Sequence, residues 1–290
     1  MQKFPPVVRT IAELRASVAA WRAEGARIGL VPTMGALHKG HLSLVSEVAQ
    51  KTDKIIVSIF VNPTQFGPGE DLDDYPRQET EDRKKLAATS ASLIFAPPAK
   101  AMYQHGHCTS VTLSGISNIL EGAARPGHFD GVATIVSKLL LQTLPDVAIF
   151  GEKDYQQLAV IRQIVRDLDI PVEIMAGTLV REHDGLAFSS RNAYLDTKQR
   201  RIASCLNTIL KKLVAEVRAG KPCRDAEATA TSALLEAGFL SVDYVSIADQ
   251  ITLQPVDNAQ AGAQVLAVAR IGGVRLLDNM AIEAPKAPHI

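Results

Sequence analysis

The segment that decides the fold is residues 28–50, IGLVPTMGALHKGHLSLVSEVAQ. An apolar run from Ile28 to Val31 predicts a strand, and the periodic apolar residues from Leu42 to Gln50 predict a helix. A loop with glycines at positions 35 and 40 lies between them. The order strand, glycine-containing loop, helix places two imidazoles, His38 and His41, where the helix begins.

This placement favours a nucleotide phosphate as the ligand of the loop. A helix N-terminus offers main-chain N–H groups and the positive end of a dipole to an anion. Gly35 and Gly40 allow close approach of the backbone, and both imidazoles can donate hydrogen bonds to phosphate oxygens. Two alternatives remain open at this point, namely a histidine pair on a solvated helical turn and an unrelated metal site.

Composition excludes several classes of function. The chain has 290 residues, of which 47% are apolar and 21% charged, and its formal net charge is zero. No basic field is available for a nucleic-acid backbone, so we expect no nucleic-acid partner. No uncharged apolar stretch approaches the length of a membrane span, and we expect no membrane association. Three scattered cysteines indicate neither a disulfide framework nor a zinc site, and they favour the cytoplasm.

Strands and helices alternate through the first two-thirds of the chain. This alternation predicts an α/β fold with a mostly parallel sheet covered on both faces. The predicted strands are 28–31, 54–61, 92–96, 147–150 and 172–176, and the predicted helices are 42–50, 78–88, 132–144 and 154–168.

The pattern changes after about residue 180. A long amphipathic helix is predicted over 196–218, capped by Asp196 or Thr197, and a second helix over 225–237. Strand-like runs follow at 242–247, 265–269 and 274–277. We therefore expect a domain of residues 1–180 and a smaller α+β domain of residues 181–290, with a frayed tail after Ile282.

Three further loops carry polar residues after predicted strands. Asn62 and Gln65 follow the second strand, and their amides can bind a hydroxyl or carboxylate, although a polar turn would use the same residues. Lys153 and Asp154 follow the strand 147–150. A lysine there suits phosphate, whereas Asp154 could cap the next helix or bind a ribose hydroxyl or magnesium.

The loop at the domain junction, Ser189-Ser190-Arg191-Asn192, suits a phosphate chain or a helix-capping turn. Arg125, in a glycine-rich loop over residues 121–131, is a candidate phosphate or carboxylate contact. We expect two other polar segments to be solvated surface loops, namely the acidic run 70–74 and residues 105–108 (His-Gly-His-Cys).

Taken together and in this order, the motifs resemble those of the pantoate–β-alanine ligases (pantothenate synthetases), a family of histidine-motif nucleotidylyltransferases. The motifs that carry the resemblance are VPTMGALHKGH (31–41), FVNPTQF (60–66), FGEKDYQQL (150–158) and SSRN (189–192). The resemblance implies a Rossmann-like catalytic domain that binds ATP and pantoate, and a C-terminal domain that closes over the ATP site. It also implies ATP as co-substrate, Mg²⁺, a cytoplasmic location and a homodimer formed through the N-terminal domain.

The reaction implied by the resemblance has two steps. The carboxylate of (R)-pantoate attacks the α-phosphorus of ATP to give pantoyl adenylate and pyrophosphate, and β-alanine then displaces AMP to give pantothenate. Two rival hypotheses remain, a nucleotidylyltransferase acting on a phosphorylated alcohol and a nucleotide sensor that kept the fold. The first would need extra basic residues near the second substrate, and the second would be expected to lack one of the four residues His38, His41, Lys153 and Arg191.

The same resemblance assigns roles to individual residues, with His41 as proton donor to pyrophosphate. Phe188 departs from the family, which usually has methionine there. The residues expected to act in catalysis are His38, His41, Lys153, Ser189, Ser190 and Arg191. Those expected to contact ATP are Met34, Gly35, Ala36, Leu37, His38, Lys39, Gly40, His41, Gly151, Glu152, Lys153, Asp154, Val180, Phe188, Ser189, Ser190 and Arg191. Those expected to contact the other substrates are Pro32, Thr33, Met34, Asn62, Gln65, Arg125 and Gln157.

Overall fold

The computed structural model describes residues 4–258 and 262–282, so the predicted frayed tail lies outside the described residues. Its larger sheet has six strands in the order β1-β4-β3-β2-β5-β6, and every neighbouring pair is parallel. The strands are β1 (Val7–Val8), β2 (Ile28–Thr33), β3 (Lys54–Ile59), β4 (Leu93–Phe95), β5 (Val147–Gly151) and β6 (Glu173–Gly177).

Both faces of this sheet are buried, as predicted from the alternation of strands and helices. Ile28 and Leu30 of β2 pack into one apolar cluster, whereas Val31 packs into another on the opposite face. The cluster around Ile28 and Leu30 contains residues of α1 (Ile11–Ala23), α6 (His128–Thr143) and α7 (Tyr155–Asp167). The cluster around Val31 contains residues of α2 (Lys39–Val48) and α3 (Glu79–Leu86). Two short helices, α4 (Ala99–Met102) and α5 (Glu121–Ala124), complete this part of the chain.

The strand order places three of the predicted loops at one edge of the sheet. The chain runs from β2 outward to β3 and β4, then returns to β5 on the other side of β2. Ligands of open α/β sheets bind at such a reversal, beyond the carboxyl ends of the strands. The histidine loop follows β2. Residue 151 is the last residue of β5 and residue 152 follows it, so both segments lie beside the reversal.

Four elements of this region were not predicted from sequence, namely α1, β1, α4 and α5, the last of which lies within the predicted 121–131 loop. Helix α1 buries only Leu14 and Val18, so its sequence has too little apolar periodicity to predict a helix. Strand β1 has two residues and, within the described part of the chain, pairs only with β4. Helix α6 also begins at His128 rather than Val132, so the end of the predicted 121–131 loop is helical.

The C-terminal part of the chain forms an antiparallel sheet with two helices. Strands β7 (Ser241–Asp249), β8 (Ala263–Ile271) and β9 (Val274–Ile282) are adjacent in that order. Residues of α8 (Thr197–Arg218) and α9 (Cys223–Glu236) share one apolar cluster with the strands. The side chain of Asp196 caps α8 by accepting from the main-chain N–H of Gln199 at 2.8 Å, which decides between the two predicted caps.

Among the described residues the chain divides into two compact units. The first comprises residues up to Glu152 together with Gln156–Leu179, and the second comprises Lys153–Tyr155 and residues from Val180 onward. Within the described ranges, every helix is too short or too polar to cross a membrane.

Candidate active site

The histidine loop turns sharply immediately after β2. Gly35 and Ala36 both have left-handed backbones, with φ of 84° and 51°. Alanine rarely adopts this conformation, which costs it roughly 1–2 kcal/mol. The hydroxyl of Thr33 supports the turn by accepting from the N–H of Gly35 at 3.1 Å and donating to the carbonyl of Ser58 at 2.7 Å.

A buried carboxylate holds the strained turn in place. The two oxygens of Asp82, a fully buried residue of α3, accept from the N–H groups of Ala36 and Leu37 at 2.9 and 2.8 Å. Lys85, one turn further along α3, donates to the carbonyl of Leu37 at 2.6 Å. Burial raises the pKa of the Asp82 carboxyl, and the two N–H donors partly offset this effect. Helix α3 thus fixes the loop that leads to His38.

The two histidines lie side by side at the start of α2. Their ring centroids are 4.0 Å apart and the planes are inclined by 26°. The main-chain N–H of His38 points to Nδ1 of His41 at 3.4 Å. Because Nδ1 is the acceptor there, the neutral His41 ring carries its proton on Nε2. His41 can therefore donate a hydrogen bond through Nε2.

Two of the three amide residues predicted to bind a polar substrate, Asn62 and Gln65, meet in the first unit. Asn62 is buried, and its Nδ2 donates to Oε1 of Gln65 at 3.0 Å and to the carbonyl of Gly131 at 3.1 Å. Nε2 of Gln65 lies 3.2 Å from the sulfur of Met34, on the histidine loop. The hydroxyl of Tyr103 donates to Oδ1 of Asn62 at 2.7 Å. Asn62 thus orients Gln65 beside Met34.

Arg125 lies in an ionic cluster, with every N–H donor directed at a protein acceptor. Nε and one terminal nitrogen hold the carboxylate of Glu70, and the other terminal nitrogen reaches Oε1 of Glu121 at 3.2 Å. The remaining two N–H groups face Nε2 of His128 and the carbonyl of Gln65, each at 3.2 Å. An arginine has five N–H donors, so a substrate would have to displace one of these partners. The direct substrate contact stays a prediction.

Glu70 is not the solvated residue that was predicted. Burial alone would raise its pKa, but the hydrogen bonds and charge of Arg125 hold the pKa of this carboxyl below its usual range. The prediction of a solvated acidic loop is therefore wrong at this position, because an arginine 55 residues away is its partner.

In the second unit, Lys153 is held through its main chain. Nδ2 of Asn279 donates to the carbonyl of Lys153 at 2.9 Å, and Oδ1 of Asn279 accepts from Gln264 at 2.8 Å. Both amide residues are buried in the β8–β9 sheet. Nζ of Lys153 lies 3.2 Å from Oδ1 of Asp154.

The junction loop makes its own framework in the second unit. The N–H of Phe188 donates to the carbonyl of Val180 at 3.1 Å, next to a bridge between Arg181 and Ala187. Arg181 forms two hydrogen bonds of 2.8 Å with the buried carboxylate of Asp278. Oγ of Ser189 accepts from the N–H of Arg191 and so caps a short 3₁₀ helix, Ser190–Tyr194. The sequence left a helix-capping role open for this loop, and Ser189 caps the 3₁₀ helix in this way.

Two of the predicted substrate and nucleotide contacts have simpler surroundings. Gln157 lies in the first turn of α7 and is half-buried. Gly151 closes β5 opposite Gly177, and a side chain at position 151 would meet no atom within 4 Å. Residues 105–108 are exposed, which confirms the surface loop.

Comparison with known proteins identifies the family. The sequence model described as pantoate-beta-alanine ligase matches residues 6–281. The chain belongs to the pantoate-beta-alanine ligase family. Pantothenate synthetases of this family from Paramagnetospirillum magneticum and Caulobacter vibrioides are 54% and 52% identical to it, over 96% of the chain and 98% and 99% of their own lengths.

Solved structures of the family share the fold. Pantothenate synthetase from Thermus thermophilus matches with a TM-score of 0.91 and 42% identity, covering 96% of this chain and 99% of that one. Pantoate-beta-alanine ligase from Francisella tularensis, complexed with beta-gamma ATP and beta-alanine, matches with a TM-score of 0.82 and 34% identity, covering 98% and 100%. The predicted fold class and family are both confirmed.

Sequence reasoning missed several residues that hold this family's motifs in place. Asp82, His128 and Asn279 each contact a motif residue through the main chain of that residue. A main-chain contact leaves no pairing of complementary side chains for a single sequence to reveal. The one sequence signal is the presence of the amide residues Gln264 and Asn279 in strands that are mostly apolar, since buried polar groups are costly unless they are hydrogen-bonded.

Proposed function

We propose that this chain joins (R)-pantoate to β-alanine at the expense of ATP, through a pantoyl-adenylate intermediate. In the first step a carboxylate oxygen of pantoate forms a bond to the α-phosphorus, and the bond from that phosphorus to pyrophosphate breaks. In the second step the β-alanine nitrogen attacks the acyl carbon, loses a proton, and AMP leaves with the oxygen that bridged the two groups. Pantothenate, AMP and pyrophosphate are the products.

The observation that carries this proposal is the state of His41 in a chain of this family. Its Nδ1 accepts from the main chain, so Nε2 presents a proton at the start of a helix. Departing pyrophosphate needs such a donor, because negative charge grows on the leaving oxygen. His38 stacks on the same ring and would share the phosphate contacts.

The remaining residues of the histidine loop would contact the nucleotide mainly through their backbone. Gly35, Ala36 and Leu37 form the strained turn, and Lys39 and Gly40 open helix α2. Pro32, Thr33 and Met34 would line the passage from the nucleotide to pantoate. Gln65 and Gln157 would hold pantoate by its hydroxyl and carboxylate groups, with Gln65 also near β-alanine.

In the second unit we assign the triphosphate to Lys153 and to the loop of Ser189, Ser190 and Arg191. Two hydroxyls and a guanidinium suit a phosphate chain. Asp154 would bind the ribose, with Gly151 and Glu152 before it, and Val180 and Phe188 would contact the adenine.

Magnesium is expected with ATP, but the described side chains form no cage for it. No group of three or more His, Cys, Asp or Glu residues in the described ranges is arranged to hold a metal. Mg²⁺ commonly reaches enzymes on substrate phosphates with one or two carboxylates. We therefore derive no step through the metal.

Two further properties, the cellular compartment and the oligomeric state, are also proposed. Cys108, Cys205 and Cys223 form no disulfide among the described residues, which suits a reducing cytoplasm. A homodimer through the first unit follows from the family resemblance, and sedimentation at several concentrations would test it.

The activity is tested by following AMP and pyrophosphate with purified full-length chain. We expect AMP to form only when ATP, pantoate and β-alanine are all present. AMP formation that ignores pantoate, or transfer of a nucleotidyl group to a phosphorylated alcohol, would refute the ligase and support the rival nucleotidylyltransferase.

A further inference from the structure

The main-chain carbonyl of Gln65 receives two side-chain donors from one short segment. Nδ1 of His128 lies 2.8 Å from this oxygen, and a terminal nitrogen of Arg125 donates to it from 3.2 Å. His128 is the first residue of helix α6, and Arg125 lies three residues before it. A carbonyl that accepts two hydrogen bonds uses both of its lone pairs.

The contacts of His128 determine its protonation. A carbonyl can only accept, so Nδ1 of His128 must carry a proton. A guanidinium can only donate, so Nε2, which lies 3.2 Å from Arg125, must be the unprotonated nitrogen. Only the neutral imidazole protonated at Nδ1 meets both conditions. In agreement, burial and the charge of Arg125 lower the pKa of His128 to about 4, against the opposing charges of Glu121 and Glu70.

Helix α6 also meets the same residue from another side. A Cβ at Gly131 would lie 2.4 Å from the carbonyl oxygen of Thr64 and 2.7 Å from Cα of Gln65, so only glycine fits. The carbonyl of Gly131 accepts from Asn62, which in turn donates to the side chain of Gln65. The first turn of α6 therefore contacts both the backbone and the orienting partner of Gln65.

Two glutamates fix the guanidinium of Arg125 and occupy N–H donors that a ligand would otherwise use. Glu70 takes two of its N–H groups, and Glu121, which is almost fully buried, takes a third. With these carboxylates the guanidinium is charge-balanced and fixed in direction. Its remaining donors point at His128 and at the carbonyl of Gln65.

We infer that His128 and Arg125 are positioning residues, which set the main chain of Gln65 and thereby aim its side-chain amide at pantoate. Neither residue touches substrate in this arrangement. The inference rests on the proposed function for the identity of the ligand, and it replaces a direct contact of Arg125 with a role through Gln65.

The test compares two substitutions of His128 that differ in one hydrogen bond. The amide nitrogen of His128→Asn can take the place of Nδ1–H, whereas His128→Phe keeps an aromatic ring and has no donor. His105→Phe, in the exposed loop, is the matched control. Steady-state kinetics would give KM for pantoate and for ATP separately, with the melting temperature of each variant.

We expect His128→Phe to raise KM for pantoate about 10-fold, the equivalent of one lost hydrogen bond. KM for ATP should change less than about 2-fold, and His128→Asn should recover most of the loss, within roughly 3-fold of wild type. Equal changes in both KM values, or a lowered melting temperature with normal kinetics, would overturn the inference because either describes a merely structural residue.

A second measurement is independent of catalysis. Nitrogen-15 NMR of the imidazole rings should show His128 neutral and protonated at Nδ1 from pH 6 to pH 8. A proton on Nε2, or titration near the ordinary value, would overturn the inference even if the chain is an active ligase. If wild-type chain makes no pantoate-dependent AMP, the proposed function fails while the NMR result still decides the positioning role.

Discussion

Asp82 and Leu37 are joined by a hydrogen bond of 2.8 Å from the main-chain N–H of Leu37 to the buried carboxylate. The second carboxylate oxygen accepts from Ala36, so one side chain of α3 holds two successive N–H groups of a strained turn. His38 follows directly. The position of His38 and His41, the two histidines proposed to act in catalysis, is thus set by a helix that contributes no residue to the predicted site.

Asp82→Asn should slow adenylate formation about 10-fold, because the amide can accept only one of the two N–H groups and the histidine loop shifts. Burial already raises the pKa of this carboxyl, so loss of the charge offsets part of the folding cost of the lost hydrogen bond. Single-turnover formation of pyrophosphate measures the step. Glu81→Gln, an exposed neighbour on α3, is the control, and an equal loss in both variants would contradict the role of Asp82.

Gly131→Ala should raise KM for pantoate about 10-fold or more, because the new methyl group cannot lie 2.4 Å from the carbonyl of Thr64 and must displace Gln65. Gly273→Ala is the matched control, since a Cβ there meets nothing within 4 Å. Steady-state kinetics with pantoate as the varied substrate would check this. An unchanged KM in Gly131→Ala would mean that the backbone beside Gln65 yields without consequence.

Asn279→Leu should lower the rate of adenylation about 10-fold, because the carbonyl of Lys153 loses its donor and the Gln264 amide loses its acceptor. KM for pantoate should stay within about 2-fold of wild type, because Asn279 holds the main chain of Lys153, which we assign to the triphosphate. Ala281→Ser, exposed on the same strand, is the control. A change confined to KM for pantoate would argue against a role through Lys153.

His128 predicts a pH-dependent stability. Its pKa is lowered from 6.5 to about 4, mainly by burial. The unfolded chain therefore binds this proton as the pH falls through 6.5 while the folded chain does not, so the free energy of unfolding decreases on acidification. The loss from this residue should be about 2 kcal/mol between pH 7 and pH 5. Urea unfolding of wild type and His128→Asn would measure it, and parallel pH profiles of the two proteins would contradict it.

Local sequence patterns were sufficient to predict the fold. The segment from Val31 to His41 contains the end of a strand, a turn and the start of a helix. The alternation of strands and helices after it predicts a parallel sheet. Helix α1 was missed because only Leu14 and Val18 are buried. Motif residues were found where a loop follows a strand, as at Asn62 and Lys153.

The supporting contacts could not be predicted, because they join distant segments through the backbone. Asp82 lies in a helix whose other residues are mostly solvated, and nothing in that helix points to Ala36, 46 residues earlier. Arg125 was predicted as a ligand from its charge alone. Its partner Glu70 lies 55 residues earlier, and only the fold brings the two side chains together.

The central claim, that pantoate is activated by adenylation, is tested most directly by following oxygen. Pantoate labelled with oxygen-18 in its carboxylate would be incubated with the full-length chain, ATP and β-alanine, and the AMP examined by mass spectrometry. We expect one labelled oxygen in each AMP, because the attacking oxygen stays on phosphorus when the amine displaces AMP. Unlabelled AMP, or label recovered in inorganic phosphate with ADP as the nucleotide product, would contradict the adenylate and with it the proposed function.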